Sequence, residues 1–581
     1  MQKYICKNCN DLHCDTSVCP VCGNRTELLK TQIFWCPNCN VPSYSHVCDS
    51  CHTMCKEIGT DIRPVFPEER LLIEICLGKP MAFAGKSVWK TNTFYIVDGE
   101  KIKVSYSDII AKNRPEDIIL KLEEYKLENY EFCNSFFDTL VIKKFIEVNK
   151  AHLNLITSEA TNYICEVSKK YDIGDMFVSF SGGKDSTVTS HLVLSALGNR
   201  KIIHIYGDTT LEYPTSETYI ARFRKEFPET PMLIAKNRDQ NFNDLCEVVG
   251  PPSRVMRWCC TVFKTGAITR KIETTFKNKT SLLTFYGIRR NESNSRSKYE
   301  RESNSPKIAK QRVVSPIIDW SEFDIWLYII SNRIDFNDAY RQGFARVGCW
   351  CCPNNSAWSE FLSSIYMPEH FKQFRNTLYK FAKSVGKLDW KEYIETGKWK
   401  ARQGGNGLEF SKNAVVSFKP CALEENALNF ELMRPYSDDF LTLFIPFGII
   451  NHDLGNKRLG EVFILDRKTS KPLIKITGIV GRKNIKIALI TTNKLIPNFK
   501  VFESMVKNQI TKFQTCIGCS ACQSVCRFDA LKVVNLQPGS VSQSTIRYTI
   551  EEKKCVGCLE CVTHFDGGCY IKKVLRTKKE G

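Results

Sequence analysis

The residues best able to do chemistry are the hexapeptide Ser181-Gly182-Gly183-Lys184-Asp185-Ser186 and the cysteines, which number 28. The hexapeptide follows an apolar run at 176–180 and opens an apolar-periodic stretch at 187–197. That order predicts a strand, a glycine turn and a helix, a geometry that aims backbone N–H groups at an anion. Gly182 and Gly183 let a phosphate approach the backbone closely, and Ser181, Lys184 and Ser186 add donors. The Walker spacing Gly-x4-Gly-Lys-Ser/Thr is absent.

Most cysteines sit in Cys-x2-Cys pairs at the two ends of the chain. Cys6, Cys9, Cys19 and Cys22 form one set of four, and Cys36, Cys39, Cys48 and Cys51 form another. Each set offers two knuckles to one tetrahedral ion, so each is expected to be a structural zinc ribbon. A segment this poor in aliphatic residues needs such staples to fold. Cys14, Cys55, His13, His46 and His52 are alternative ligands, and iron is the alternative metal. Near the other end, Cys516-x2-Cys519-x2-Cys522-x3-Cys526 precedes Cys555-x2-Cys558-x2-Cys561-x7-Cys569. This is two-cluster ferredoxin spacing, in which the last cysteine of each run serves the other cluster. One [4Fe-4S] cluster is expected on Cys516, Cys519, Cys522 and Cys569, the other on Cys555, Cys558, Cys561 and Cys526. Zinc is the alternative. Arg527 stands where proline usually follows, and the second run is longer than usual.

Paired cysteines at this density point to metal ligation in a reducing compartment rather than to disulfides. No apolar run reaches membrane-spanning length and no signal-peptide core precedes Cys6, so a cytoplasmic chain without a membrane partner is expected. The formal charge is +19, from 82 basic and 63 acidic residues. These four tetrathiolate sites, with a fifth on Cys259, Cys260, Cys349 and Cys352 described below, would add about −10 and leave roughly +9, which does not by itself require a polyanionic partner.

These sites need elements to position them. Between 151 and 390, apolar runs at 201–206, 232–235 and 281–287 alternate with helical patterns such as 216–227. This predicts an α/β doubly wound parallel sheet, whose ligands sit at the carboxyl ends of strands. The loop at 181–186, Asp208 and Gly287 all fall at such ends. Residues 1–60 are expected to form the two zinc ribbons. Residues 61–150 read as a small α+β accessory module entered by a linker at 61–67. Residues 151–390 form the nucleotide domain. Residues 391–510 are strand-rich, with one strand at 441–445 and no catalytic motif. Residues 511–581 form the ferredoxin-type α+β domain.

The motifs of the middle segment also follow one family's order. After the loop come Asp208-Thr209, Glu212-Tyr213-Pro214, and Arg257-Trp258-Cys259-Cys260-Thr261 with Lys264. Then come Gly287-Ile288-Arg289-Arg290-Asn291-Glu292-Ser293 with Arg296, and finally Arg346-Val347-Gly348-Cys349-Trp350-Cys351-Cys352-Pro353. In this the chain resembles the phosphoadenosine phosphosulfate reductase family, of adenine nucleotide alpha-hydrolase-like fold. The resemblance implies an adenine nucleotide bound by Ser181, Gly182, Gly183, Lys184, Asp185, Ser186, Asp208, Gly287 and Arg289. The loop itself is similar to that of ATP pyrophosphatases, which cut ATP between the α and β phosphates. In that reading Lys184 meets the leaving pyrophosphate, Asp185 or Asp208 holds Mg²⁺, and Arg289 faces phosphate. Cys259, Cys260, Cys349 and Cys352 reproduce the pattern by which adenylyl sulfate reductases hold a [4Fe-4S] cluster, which implies a third cluster, with zinc as the alternative. Cys351 is then left over, as a persulfide carrier or nucleophile activated by nearby positive charge, or as a plain buried thiol.

Two chemistries divide the family. True reductases usually carry a degenerate loop and a late nucleophilic cysteine in Glu-Cys-Gly-x-His. This chain keeps Lys184-Asp185-Ser186 and has no Glu-Cys-Gly. The sequence therefore favours an ATP-dependent, AMP- and pyrophosphate-forming sulfur-transfer enzyme with iron–sulfur electron supply. Its partners would be a sulfur donor, an external electron donor, and an acceptor that is either nucleic acid or a small molecule. The alternatives are a ferredoxin-fused reductase of adenylyl sulfate or phosphoadenylyl sulfate, and a non-catalytic nucleotide- and redox-sensing scaffold.

Overall fold

The structure is a computed structural model. It describes the chain apart from residues 1–2, 6–8, 10–11, 15–18, 24–26, 29–31, 129–135, 239–240, 255–256, 294–295, 305–310, 385–388, 401–414, 517, 536–545, 565–575 and 580–581. Cys6 and Cys569 lie outside the described residues.

The centre of the molecule is a sheet of 6 strands, in the order Met232–Lys236, Ile203–Asp208, Met176–Phe180, Leu282–Tyr286, Gln311–Val314 and Glu302–Asn304. The first five run parallel, and Glu302–Asn304 lies antiparallel on one edge. The expected doubly wound sheet is therefore mixed, with a parallel centre. Both faces are covered because successive strand residues point to opposite sides. Met176 and Val178 join Val188 and Leu192 of helix Lys184–Leu197. Phe177 joins Ile205 with Ala267 and Ile272 of helix Gly266–Thr275.

Residues 61–67 are not a loose linker. Pro64 and Pro67 suggest a spacer, but Ile62, Val65 and Phe66 between them are buried. Arg63–Pro64 is the edge strand of a four-stranded sheet with Val88–Lys90, Phe94–Val97 and Glu100–Lys103. Asp98 and Gly99 both have positive φ, which suits the tight turn between the last two strands. A Cβ on Gly99 would lie 2.7 Å from the Trp35 indole nitrogen, so the second cysteine ribbon packs directly on this turn.

The segment 441–445 is also not a strand. Asp439–Thr442 is a short helix, and backbone turns continue it to Phe447 and Gly448. An unbroken apolar run carries no periodicity that separates a buried strand from a buried helical turn. The expected boundary at 510 falls inside helix Phe499–Thr515, whose Phe502, Val506, Ile510 and Phe513 share one core with Leu559 and Val562. Strand Arg576–Lys579 pairs in parallel with Val415–Pro420 and closes a sheet of 7 strands. The strand-rich and ferredoxin segments thus share a sheet and a core. No helix among the described residues is long and apolar enough to cross a membrane.

Candidate nucleotide and cysteine site

The loop at 181–186 is held by its own hydrogen bonds. Ser186 Oγ donates to the Gly183 carbonyl at 2.8 Å, and the Ser181 N–H donates to Ser186 Oγ at 3.2 Å. Gly182 has φ +72°, a conformation that side chains disfavour. Gly183 caps helix Lys184–Leu197, so the helix N-terminus lies at the carboxyl end of strand Met176–Phe180. Gly287 brings the next strand end against this loop. A Cβ there would sit 2.6 Å from the Asp185 carbonyl carbon and oxygen.

Lys184 turns inward. Its side chain is 4% exposed, and Nζ lies 3.5 Å from Glu322 Oε1 and 3.3 Å from the Ala345 carbonyl. The ammonium also sits over the Tyr340 ring, 4.9 Å from its centroid. Asp185 accepts from Arg289 Nε at 2.5 Å. Burial opposes all of these charges, but the charges outweigh it together. Glu322 and Asp185 hold the Lys184 pKa above its usual value, and Arg289 and Lys184 hold the Asp185 carboxyl below its own.

This charge cluster reaches the amino-terminal module. Asp61 accepts from the backbone N–H of Glu322 and of Phe323, each at 3.0 Å, at the start of helix Glu322–Ser331. Burial and the Glu322 charge push the Asp61 carboxyl up to about 6. Arg63 forks onto buried Glu69 at 2.6 and 2.7 Å.

Of the expected nucleotide residues, Ser181–Ser186, Gly287 and Arg289 come together in space. Asp208 stands at the neighbouring strand end, with its carboxylate on Lys236 at 2.9 Å. The roles expected of Lys184 at pyrophosphate, Asp185 at Mg²⁺ and Arg289 at phosphate remain expectations about a bound nucleotide, and the three side chains make protein contacts here. All three are committed to Glu322 or to one another. Glu322 and Asp61 carry no sequence signal for this role. The Ser321/Asp324 capping box marks Glu322 as the first residue of a helix, and nothing local ties it to Lys184.

The central cysteines are gathered from two loops. Cys259 and Cys260 open a π-helical turn, Cys260–Thr265. The loop carrying Cys349 is zipped onto the loop after strand Ile203–Asp208, through an isolated bridge between Glu212 and Cys349 and a Trp350 N–H to Leu211 carbonyl bond of 2.9 Å. Cys260, and then burial, push the Cys259 thiol well above its usual pKa. Burial, then Glu212, pushes Cys349 up to about 12. Exposed Arg257 and Arg346 act on Cys352, and exposed Lys264 acts on Cys349. Cys351 does not fit the expected activated nucleophile. It is 2% exposed, lies in an apolar cluster with Phe242, Trp258 and Phe374, and is pushed up by burial and by neighbouring thiols. The same apolar cluster includes Cys519 and Ala521 of the carboxy-terminal segment.

Sulfur spacing separates the kinds of metal each site fits. Zinc–sulfur bonds of about 2.3 Å in a tetrahedron place the sulfurs about 3.8 Å apart. Cys36 and Cys51 lie 3.4 Å apart and Cys39 and Cys48 3.8 Å, and all four sulfurs lie within 4.8 Å. Cys9, Cys19 and Cys22 form a second such group, with Cys9 and Cys19 4.0 Å apart. Among the described residues the central and carboxy-terminal cysteines form no comparable tight group. A small cavity of about 20 Å³ is lined by Cys526, Cys555, Cys558 and Cys561. Those are the residues expected to share one cluster.

The fold joins an α/β domain with a phosphate-type loop and a group of central cysteines to a ferredoxin-type segment. Residues 175–355 match the phosphoadenosine phosphosulfate reductase domain, and residues 515–564 match the 4Fe-4S dicluster domain. Uncharacterized protein MJ0973 of Methanocaldococcus jannaschii is 30% identical over 332 residues, covering 50% of this chain and 77% of that protein. Uncharacterized protein MJ0066 of the same organism is 28% identical over 300 residues, covering 51% of this chain, and the match spans only 60% of that protein. Adenosine 5'-phosphosulfate reductase 1 of Bacillus subtilis is 25% identical over 194 residues, covering 33% of this chain and 79% of the enzyme. The chain belongs to the phosphoadenosine phosphosulfate reductase family and carries a 4Fe-4S dicluster ferredoxin domain behind the family domain.

Proposed function

We propose that this protein reduces a sulfonucleotide, adenylyl sulfate or its 3'-phosphorylated form, to sulfite with electrons arriving through its carboxy-terminal segment. The observation that carries this reading is the shared apolar cluster of Cys519 and Ala521 with Cys259, Cys349 and Cys351. It sets an electron module against the cysteine centre of a nucleotide domain. Iron–sulfur clusters held by these cysteines would supply single electrons. Two electrons break the sulfur–oxygen bond of the substrate, which leaves the nucleotide phosphate and sulfite with no third product. The helix N-terminus at Lys184, with Ser181 and Ser186, suits the nucleotide phosphate. Lys264, Arg257 and Arg346 supply positive charge for the sulfate end. The Lys184–Glu322 and Asp185–Arg289 pairs would keep the loop in shape rather than touch the reacting atoms.

A second reading, ATP activation followed by sulfur transfer to a nucleic acid or small-molecule acceptor, is favoured by the intact Ser181–Ser186 loop. The absence of a Glu-Cys-Gly nucleophile motif also supports it.

Anaerobic protein with full iron, supplied with titanium(III) citrate and either sulfonucleotide, is expected to release sulfite in proportion to nucleotide product. Pyrophosphate and AMP from ATP, with no sulfite from either sulfonucleotide, would replace the first reading with the second.

A further inference from the structure

The helix Gly266–Thr275 directly follows the turn that carries Cys260, and it presents one face to the ferredoxin segment. Three contacts lie along that face at helical spacing. At Gly266, a Cβ would lie 2.3 Å from the Ser524 carbonyl oxygen, so two backbones meet there with no room for a side chain. One turn on, Arg270 lies 3.8 Å from Asp529. A further turn on, Glu273 lies 3.7 Å from Arg527, which also reaches Glu560 at 3.1 Å. Residues 266, 270 and 273 share a helix face by their spacing. Arg527 occupies the place where ferredoxin runs usually carry proline. A proline there could not make the pair with Glu273.

We propose that this helix face is the electron-transfer contact of the molecule. It clamps the ferredoxin stretch 524–529, which runs from beside Cys522 past Cys526, against the Cys259, Cys260, Cys349 and Cys352 site, with Gly266 and the Glu273–Arg527 pair as positioning residues. Electrons enter at the Cys526, Cys555, Cys558 and Cys561 site, where Cys558 is the exposed thiol among the described ferredoxin cysteines. They leave toward the central cysteines from the side of Cys519, which is buried in the shared apolar cluster. Each transfer oxidises the nearer ferredoxin site by one electron and reduces the central site by one, and no bond or proton moves. The external reductant is a one-electron carrier, for which titanium(III) citrate is the probe. This inference rests on the reading that the carboxy-terminal segment supplies electrons to the nucleotide domain.

The test is electron paramagnetic resonance of the anaerobic full chain, reduced with titanium(III) citrate, with iron and sulfide counted. The intact protein is expected to show spin–spin coupling between the central signal and one ferredoxin signal. Gly266→Val is expected to keep its iron, lose that coupling and slow reduction of the central site. Glu273→Arg is expected to weaken the coupling, and the charge swap Glu273→Arg with Arg527→Glu to restore it. Uncoupled signals in the intact protein would overturn the proposal. So would unchanged coupling and unchanged reduction rate in iron-replete Glu273→Arg, which decides the matter if Gly266→Val loses iron. Coupling without sulfite formation would leave the contact standing and remove the proposed reaction, and sulfite formation without coupling would do the reverse.

Discussion

Lys184 Nζ and Glu322 Oε1 lie 3.5 Å apart in the interior, so the lysine of the phosphate loop is anchored to the first residue of a distant helix. The pair couples loop shape to the placement of that helix, and Asp61 in turn couples the helix to the amino-terminal module.

Removing one partner of such a pair leaves a buried charge. Glu322→Gln is expected to lower stability by about 3 kcal/mol, the lower end for a broken buried pair because Glu322 keeps some exposure. Urea unfolding checks this. The double variant Lys184→Met with Glu322→Leu should recover much of the loss, because an apolar pair leaves no charge unpaired.

Asp61 should give the fold a distinct pH response. Its folded-state pKa of about 6 stands above the ordinary 3.8. The folded state therefore holds this proton more tightly than the unfolded chain does. The stability it contributes is complete below about pH 4 and is lost as pH rises through 6. The difference in unfolding free energy between the wild type and Asp61→Asn should fall by about 2 kcal/mol between pH 4 and pH 7. A flat difference would mean that the carboxyl is not confined as described.

Gly287 allows backbone contact between a strand end and the loop. Gly287→Ala would place a Cβ 2.6 Å from the Asp185 backbone. It is expected to displace the loop and weaken adenine nucleotide binding at least about tenfold, the equivalent of about 1.4 kcal/mol, as measured by calorimetry.

Metal counts should separate the cysteine sites. Cys36→Ser is expected to lose one zinc per chain with iron unchanged. Cys352→Ser is expected to lose about four iron per chain with zinc unchanged. Loss of zinc from Cys352→Ser would instead assign a single ion to the central cysteines.

Tyr548 Oη lies 2.7 Å from Cys516 Sγ. Hydrogen bonds to ligating sulfur stabilise the reduced cluster and raise its potential. Tyr548→Phe is expected to lower the midpoint potential of one ferredoxin signal and leave the other in place, as read by redox titration.

What could be read in advance was local. The strand, turn and helix around Gly182 and Gly183 follow from glycine freedom and apolar periodicity within a short window. Cys-x2-Cys spacing announces a metal site because two thiolates so spaced converge on one ion or cluster. The run at 441–445 and the segment at 61–67 depart from their sequence patterns for the same reason. Their structure depends on what covers them, and neither unbroken apolarity nor flanking prolines encodes that.

The sequence by itself determined which residues could bind metal, where a phosphate could meet a helix, and which family the middle of the chain resembles, because each of these is written in neighbouring residues. Tertiary structure alone decided the partners. It turned Lys184 to Glu322 and Arg289 to Asp185, because a buried charge is tolerated only beside its opposite. It buried Cys351, and it pressed Gly266 against Ser524. Those pairings join segments far apart in the chain, and the energy of burying them exists only once the chain has folded.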